Sequence, residues 1–123
     1  MLCLSVELAK IYLAVTYFAV TTAHGPNWDE ERAIRQQDAW DEHAAFMDRL
    51  VDEGLVLMGG PLGDGTRALL AVEAADEGDI RSRFAADPWA AMGLLRIGSI
   101  ELWTIWLDGW HEEGNPSRAR PAG

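Results

Sequence analysis

The order of hydrophobic periods along this chain predicts an α+β fold, a four-stranded antiparallel sheet with two helices on one face. Three observations carry the prediction. Apolar stretches of strand length alternate with two stretches of helical spacing in the order βαββαβ. Turns rich in glycine or proline separate them. Hydrophobic residues make up 49% of 123 positions, enough to fill one core without disulfides or structural metal.

Each element has its own signal. Residues 14–22 are apolar and β-rich and form strand one. Residues 24–35, HGPNWDEERAIR, open on Gly25-Pro26 and read as a loop feeding a helix. From about Ile34 or Gln37 to Glu53, the residues Trp40, His43, Met47, Leu50 and Val51 recur at helical spacing, and Gly54 supplies the stop. Residues 55–60 form strand two, PLGDG at 61–65 is a turn, and residues 66–73 form strand three. Residues 76–86 form the second helix, with Ile80, Phe84 and Ala85 inward. After an Asp87-Pro88-Trp89 turn, residues 94–107 form a long last strand, bent at Gly98-Ser99.

The domain so defined runs over residues 14–108. Residues 1–13 read as a leader, poorly ordered or a non-native start, because Glu7 and Lys10 interrupt an apolar run too short for a membrane span. Residues 109–123 carry turn formers and charges with little to bury, and read as a flexible tail. With 20 acids against 10 bases the net charge is −10, which disfavours nucleic-acid and membrane-surface partners. The lone cysteine, Cys3, excludes an internal disulfide framework and fits a cytoplasmic location.

This element order is the ferredoxin-like split unit. The strands LVLM and ALLAV are apolar at consecutive positions, which calls for cover on both faces of the sheet. Two helices cover one face only. A homodimer through the open sheet face, giving a dimeric α/β barrel, supplies the rest. The topology also gathers one end of the sheet: the loop after strand one, the start of helix one, the PLGDG turn and the DPW corner. His43 and Asp87 become neighbours there.

The string His43-x6-Leu50-x3-Gly54, followed by GGPLGDG and later by ADPW, resembles the YCII-related (YciI-like) family. The resemblance covers roughly residues 15–108. It implies a small dimeric α/β-barrel protein with a His–Asp active site, in which His43 and Asp87 take the two catalytic positions. The chain departs from the family in its leader and in the charged segment 25–37.

Each candidate also has a purely structural reading. Helical projection at ~100° per residue sets His43 between Trp40, Met47 and Leu50, where a packed histidine is ordinary. Asp87 before Pro88 has the form of an N-cap, and its two oxygens allow one carboxylate to cap a helix and hold an imidazole together. His24 lies at a strand end beside Gly-Pro and is read as a substrate-binding residue or a surface histidine. Arg35, like Arg32, can hold a substrate carboxylate or answer nearby acids. Trp28, Trp40 and Trp89 can wall a ring-shaped ligand or pack the core, and Pro61 sits on the same rim. No HxxxH or HxH spacing points to a metal, and no cofactor is implied.

Two functions follow. One is a small enzyme in which His43 moves a proton on a cyclic or carbonyl-containing metabolite while Asp87 orients the imidazole, in isomerase, lyase or hydrolase chemistry. The other is a noncatalytic ligand-binding or accessory protein using the same cleft. Haem binding and cofactor-free oxygenation form a third, weaker alternative.

Overall fold

A computed structural model describes residues 16–109. The expected leader at 1–13, and all of the expected tail but Gly109, lie outside the described residues. Strands β1 (Thr16–His24), β2 (Val56–Leu62), β3 (Arg67–Ala74) and β4 (Leu95–Leu102) form one open sheet in the order β2-β3-β1-β4. Every neighbouring pair is antiparallel. Helices α1 (Trp40–Asp52), α2 (Glu77–Phe84) and α3 (Pro88–Ala91) complete an α+β architecture. No helix among the described residues is long and apolar enough to cross a membrane.

Period-two alternation sorts each strand between two faces. In β1, Phe18, Val20 and Thr22 are buried while their neighbours are half-buried. Phe18 pairs with Val72 and Val20 with Leu70, so the same face of β3 is buried too. Phe46 and Leu50 of α1 and Ile80 and Phe84 of α2 close over this face and form one core with Leu55, Val56 and Ala74. The opposite face carries Tyr17, Ala19 and Thr21 of β1 beside Glu73, Ala71 and Leu69 of β3. That face is mixed. Leu69 and Ala71 on it are apolar and half-buried, and Thr21 and Ser99 share a hydrogen bond across the sheet at 2.7 Å.

Several boundaries differ from those the sequence predicts. The first helix is divided: a 3₁₀ turn at Ile34–Gln36 is followed by Ala39 at φ 59°, and α1 starts at Trp40. The left-handed conformation costs an alanine roughly 1–2 kcal/mol, so the chain breaks here against local preference. Ala39 is the single non-glycine residue at positive φ among the described residues. Within α1 the buried stripe is His43, Phe46 and Leu50, and Val51 falls to the flank, 50% exposed. Gly54, at φ 83°, ends the helix as expected.

Helix α2 is shorter than 76–86. Asp76 is its N-cap, accepting from the Asp79 N–H at 2.7 Å, and Ala85 is the C-cap and points to solvent. Strand β2 begins and ends later than expected, and Pro61 belongs to it rather than to the turn. Proline is tolerated there because β2 is an edge strand. Strand β4 ends at Leu102, not at 107. Its predicted bend is real: Thr22 pairs with Ile97 and Thr21 with Ser99, which leaves Gly98 as the extra residue of a bulge.

Candidate active site

Period two sets His24 on the helix-covered face, in line with Phe18, Val20 and Thr22. The loop that follows is clamped to the far side of the site. The Gly25 N–H donates to the Leu94 carbonyl at 2.8 Å and the Asn27 N–H to the Gly93 carbonyl at 2.9 Å. The Asn27 side chain donates to the Met92 carbonyl at 3.0 Å. This approach requires glycine at 25, because a Cβ there would lie 2.3 Å from the Gly93 oxygen.

A second lock comes from Gln37, which is buried although it sits in an otherwise solvated charged run. Its amide nitrogen donates to the Asp29 and Arg32 carbonyls at 2.8 and 2.9 Å, and its oxygen accepts from the Asp29 N–H at 3.2 Å. The loop carrying Trp28 is therefore folded around one glutamine. Arg32 answers acids rather than a ligand, pairing with Asp38 at 3.1 Å and Asp29 at 3.8 Å.

At the other end of the site, Asp87 is the N-cap of α3. Its Oδ1 accepts from the Trp89 N–H at 2.9 Å, and Pro88 occupies the first helical position. Its second oxygen, Oδ2, lies 2.8 Å from Nδ1 of His43. Both side chains are buried, with 10% and 5% of their surfaces exposed. A carboxylate only accepts, so Nδ1 is the donor in this pair, and in the neutral imidazole Nε2 carries the lone pair. Nε2 has no partner among the described residues. No buried side-chain nitrogen or oxygen there lacks one, so Nε2 is reached by solvent.

Trp89, fully buried, joins the pieces. Its indole N–H donates to the Asp38 carbonyl at 2.7 Å, tying the corner to the start of α1. His43 stacks on it at 3.9 Å with 4° between planes. Trp40 leans on both, with centroids 5.8–5.9 Å away. Trp28 meets Trp89 edge-on at 5.5 Å, and His24 stacks on Trp28 at 3.7 Å. Such ring pairs contribute about 0.5–1.5 kcal/mol each beyond their burial.

These rings wall one cavity of about 400 Å³, within the range of small-ligand sites. Of the residues singled out from the sequence, His24, Trp28, Trp40, His43, Pro61, Asp87 and Trp89 line it. Arg35 does not; its guanidinium lies over the Trp40 ring, 5.8 Å from the centroid. Thr22, Leu70, Phe84, Thr66 and Arg67 also line the cavity, although the sequence does not single them out as site residues. Alternation in β1 and β3 marks Thr22 and Leu70; nothing in the sequence marks Arg67. Among the described residues no group of three or more His, Cys, Asp or Glu side chains is gathered as a metal site needs.

Two titrating groups are shifted at this end of the sheet. Burial holds the His24 imidazole below its ordinary range, with Glu30 and Asp64 pulling it partly back. The backbone N–H and hydroxyl of Thr66, donating to Asp64 Oδ1 at 3.0 and 2.8 Å, hold that carboxyl below its usual range. Scans against family models and searches of curated proteins and solved structures returned no match to this chain.

The divided use of Asp87 sets an expectation for two variants. Asp87→Ala removes a cap, about 1 kcal/mol, and orphans a buried imidazole N–H, about 1–3 kcal/mol. Asp87→Asn keeps an oxygen for the Trp89 N–H and turns its amide to Nδ1, forcing the other tautomer. Denaturant unfolding should show Asp87→Ala less stable than wild type by about 2–4 kcal/mol, and Asp87→Asn clearly less damaged. Equal losses would count against the two-oxygen arrangement.

His24 sets a second. Its folded-state pKa lies below the unfolded value near 6.5, so the unfolded chain takes up that proton first as pH falls. Native stability contributed at this position is full above about pH 6.5 and declines as pH drops through that value toward the folded-state pKa. Thermal midpoints between pH 7 and 5 should fall less steeply in His24→Phe than in wild type. Parallel profiles would refute the assignment.

Proposed function

We propose that this chain is a small acid–base enzyme in which His43 moves a proton on a cyclic or carbonyl-containing metabolite. Asp87 orients the imidazole and stabilises the imidazolium that forms. One observation carries the reading: Asp87 holds Nδ1 at 2.8 Å, leaving the Nε2 lone pair unpartnered in a residue that lines an apolar, ring-walled cavity. Such a cavity favours flat, weakly polar ligands, which bring a C–H group within reach of the Nε2 lone pair. Isomerisation, elimination and hydrolytic cleavage all suit this pair. The same apolar lining also supports the second reading, a noncatalytic module that holds a small ligand.

We place the protein with the YCII-related family, on the spacing of His43, Leu50 and Gly54 and on the GGPLGDG and ADPW strings. The strand order β2-β3-β1-β4, with helices over one face, supports a ferredoxin-like domain. Pairing of two copies through the open sheet face makes a dimeric α/β barrel. Leu57 and Met58, each 45% exposed, supply apolar surface from the β2 edge, and Leu69 and Ala71 supply it from the middle of that face. The working compartment in this reading is the cytoplasm.

Two measurements test these statements. A thermal-shift screen of small cyclic acids, lactones and phenols identifies the ligand shape, and turnover of the hits is then followed. His43→Ala and Asp87→Asn should lower turnover by about 10²–10⁴-fold with folding intact. Ligands that bind wild type without turnover, and bind His43→Ala more weakly, would favour the noncatalytic module. Separately, light scattering at micromolar concentration should return twice the chain mass, and a single-chain mass would end the dimer proposal.

A further inference from the structure

His24 has a role left open by the pairing of His43 with Asp87. It lines the same cavity, on the helix-covered face of β1, and neither ring nitrogen has a hydrogen-bond partner among the described residues. It is nonetheless held in place. Its strand neighbour is Leu95, its ring lies flat on Trp28, and the next residue is clamped to the Leu94 carbonyl. A histidine fixed by stacking and backbone register, with both nitrogens free, is prepared to meet a ligand.

The ring geometry says how. His24 lies within 8° of the Trp28 plane, Trp28 stands at 88° to Trp89, and His43 lies within 4° of Trp89. The two imidazoles therefore stand in nearly perpendicular planes around one cavity. A proton leaving a carbon beside a carbonyl departs along the normal to the carbonyl plane, so that its electrons can join the π system. The carbonyl oxygen, in contrast, accepts hydrogen bonds near that plane. One reaction thus needs two approaches at right angles, which imidazoles in perpendicular planes can supply, each nitrogen acting within its own ring plane.

We propose that His24 is a second catalytic group of this site, and that the substrate class is a flat ring compound with an enolisable carbonyl. The proposal rests on His43 being the proton acceptor. His43 Nε2 takes the α-proton, and the C–H electron pair becomes the C=C bond of the enolate. The carbonyl π electrons move to oxygen, and the His24 N–H donates to that oxygen. Return of the proton from His43, to the same carbon or to another position of the delocalised system, restores a neutral product. No oxidant or further reactant is required.

The surroundings of His24 suit this donor role. Burial favours its neutral form, which carries one N–H and adds no charge to an apolar cavity. The charged groups around it are Glu30 in the loop, Asp64 in the β2–β3 turn, and Arg67 and Asp48 on the cavity wall.

The test uses 2-indanone, a flat bicyclic ketone, in D₂O, with proton NMR following exchange of its α-hydrogens and tryptophan fluorescence following its binding. Wild type should accelerate exchange above buffer, and His43→Ala should return it to background. His24→Phe, which keeps the stacking ring, should lower the saturated rate by about 10²–10³-fold, on the usual effect of losing one oxyanion donor. Its binding constant should change little, and its thermal midpoint at pH 7 should match wild type. His24→Gln, which keeps an N–H donor, should recover part of the rate. Exchange that depends on His43 but is unchanged in His24→Phe overturns the role of His24 and leaves the His43 reading standing. Exchange at background in wild type, or unchanged in His43→Ala, overturns both.

Discussion

The carboxylate of Asp87 is the constraint on which this end of the molecule depends. One oxygen closes the first turn of α3, and the other fixes the tautomer of His43. A helix cap is chosen by backbone geometry, whereas an imidazole partner is chosen by what surrounds it. Here a single buried group meets both demands with no oxygen left over. Its position cannot drift without loosening the short helix that carries Trp89, the ring on which His43 is stacked. Orientation of the His43 imidazole is thereby coupled to the integrity of the fold.

The rest of the site is held by hydrogen bonds that end on backbone groups. Gly25 and Asn27 bind the loop after β1 to residues 92–94, and Gln37 folds the loop on itself. The Trp89 indole then draws in the carbonyl next to Ala39, the residue forced into a left-handed conformation. An unfavourable backbone beside a fully buried tryptophan indicates that the position of the α1 start is set by the cavity and not by helix propensity.

How much of this was legible in the sequence differs by kind of signal. The α+β class, the order of the four strands and two longer helices, the bend at Gly98 and the juxtaposition of His43 with Asp87 follow from periodicity, turn residues and topology, whereas the DPW corner, which reads as a turn, is a third, short helix. The division of the first helix does not, because nothing in a charged run ending in alanine announces a left-handed residue. Gln37 was invisible for the same reason: its partners are backbone groups of its own loop. His24 was only partly legible. Ending β1 at residue 22 made it a loop histidine, whereas two more residues of alternation place it in line with Val20 and Thr22. The proline and glycines of PLGDG read as a turn, and only the sheet order shows that Pro61 lies in an edge strand, where proline is tolerated.

That edge has a further consequence. Strand β2 carries a register shift at Leu57 and a proline at 61, and β4, on the opposite edge, carries the bulge at Gly98. Irregular backbone of this kind is a poor template for an incoming strand. Runaway lateral growth of the sheet, the route to fibrils, is thereby obstructed on both flanks.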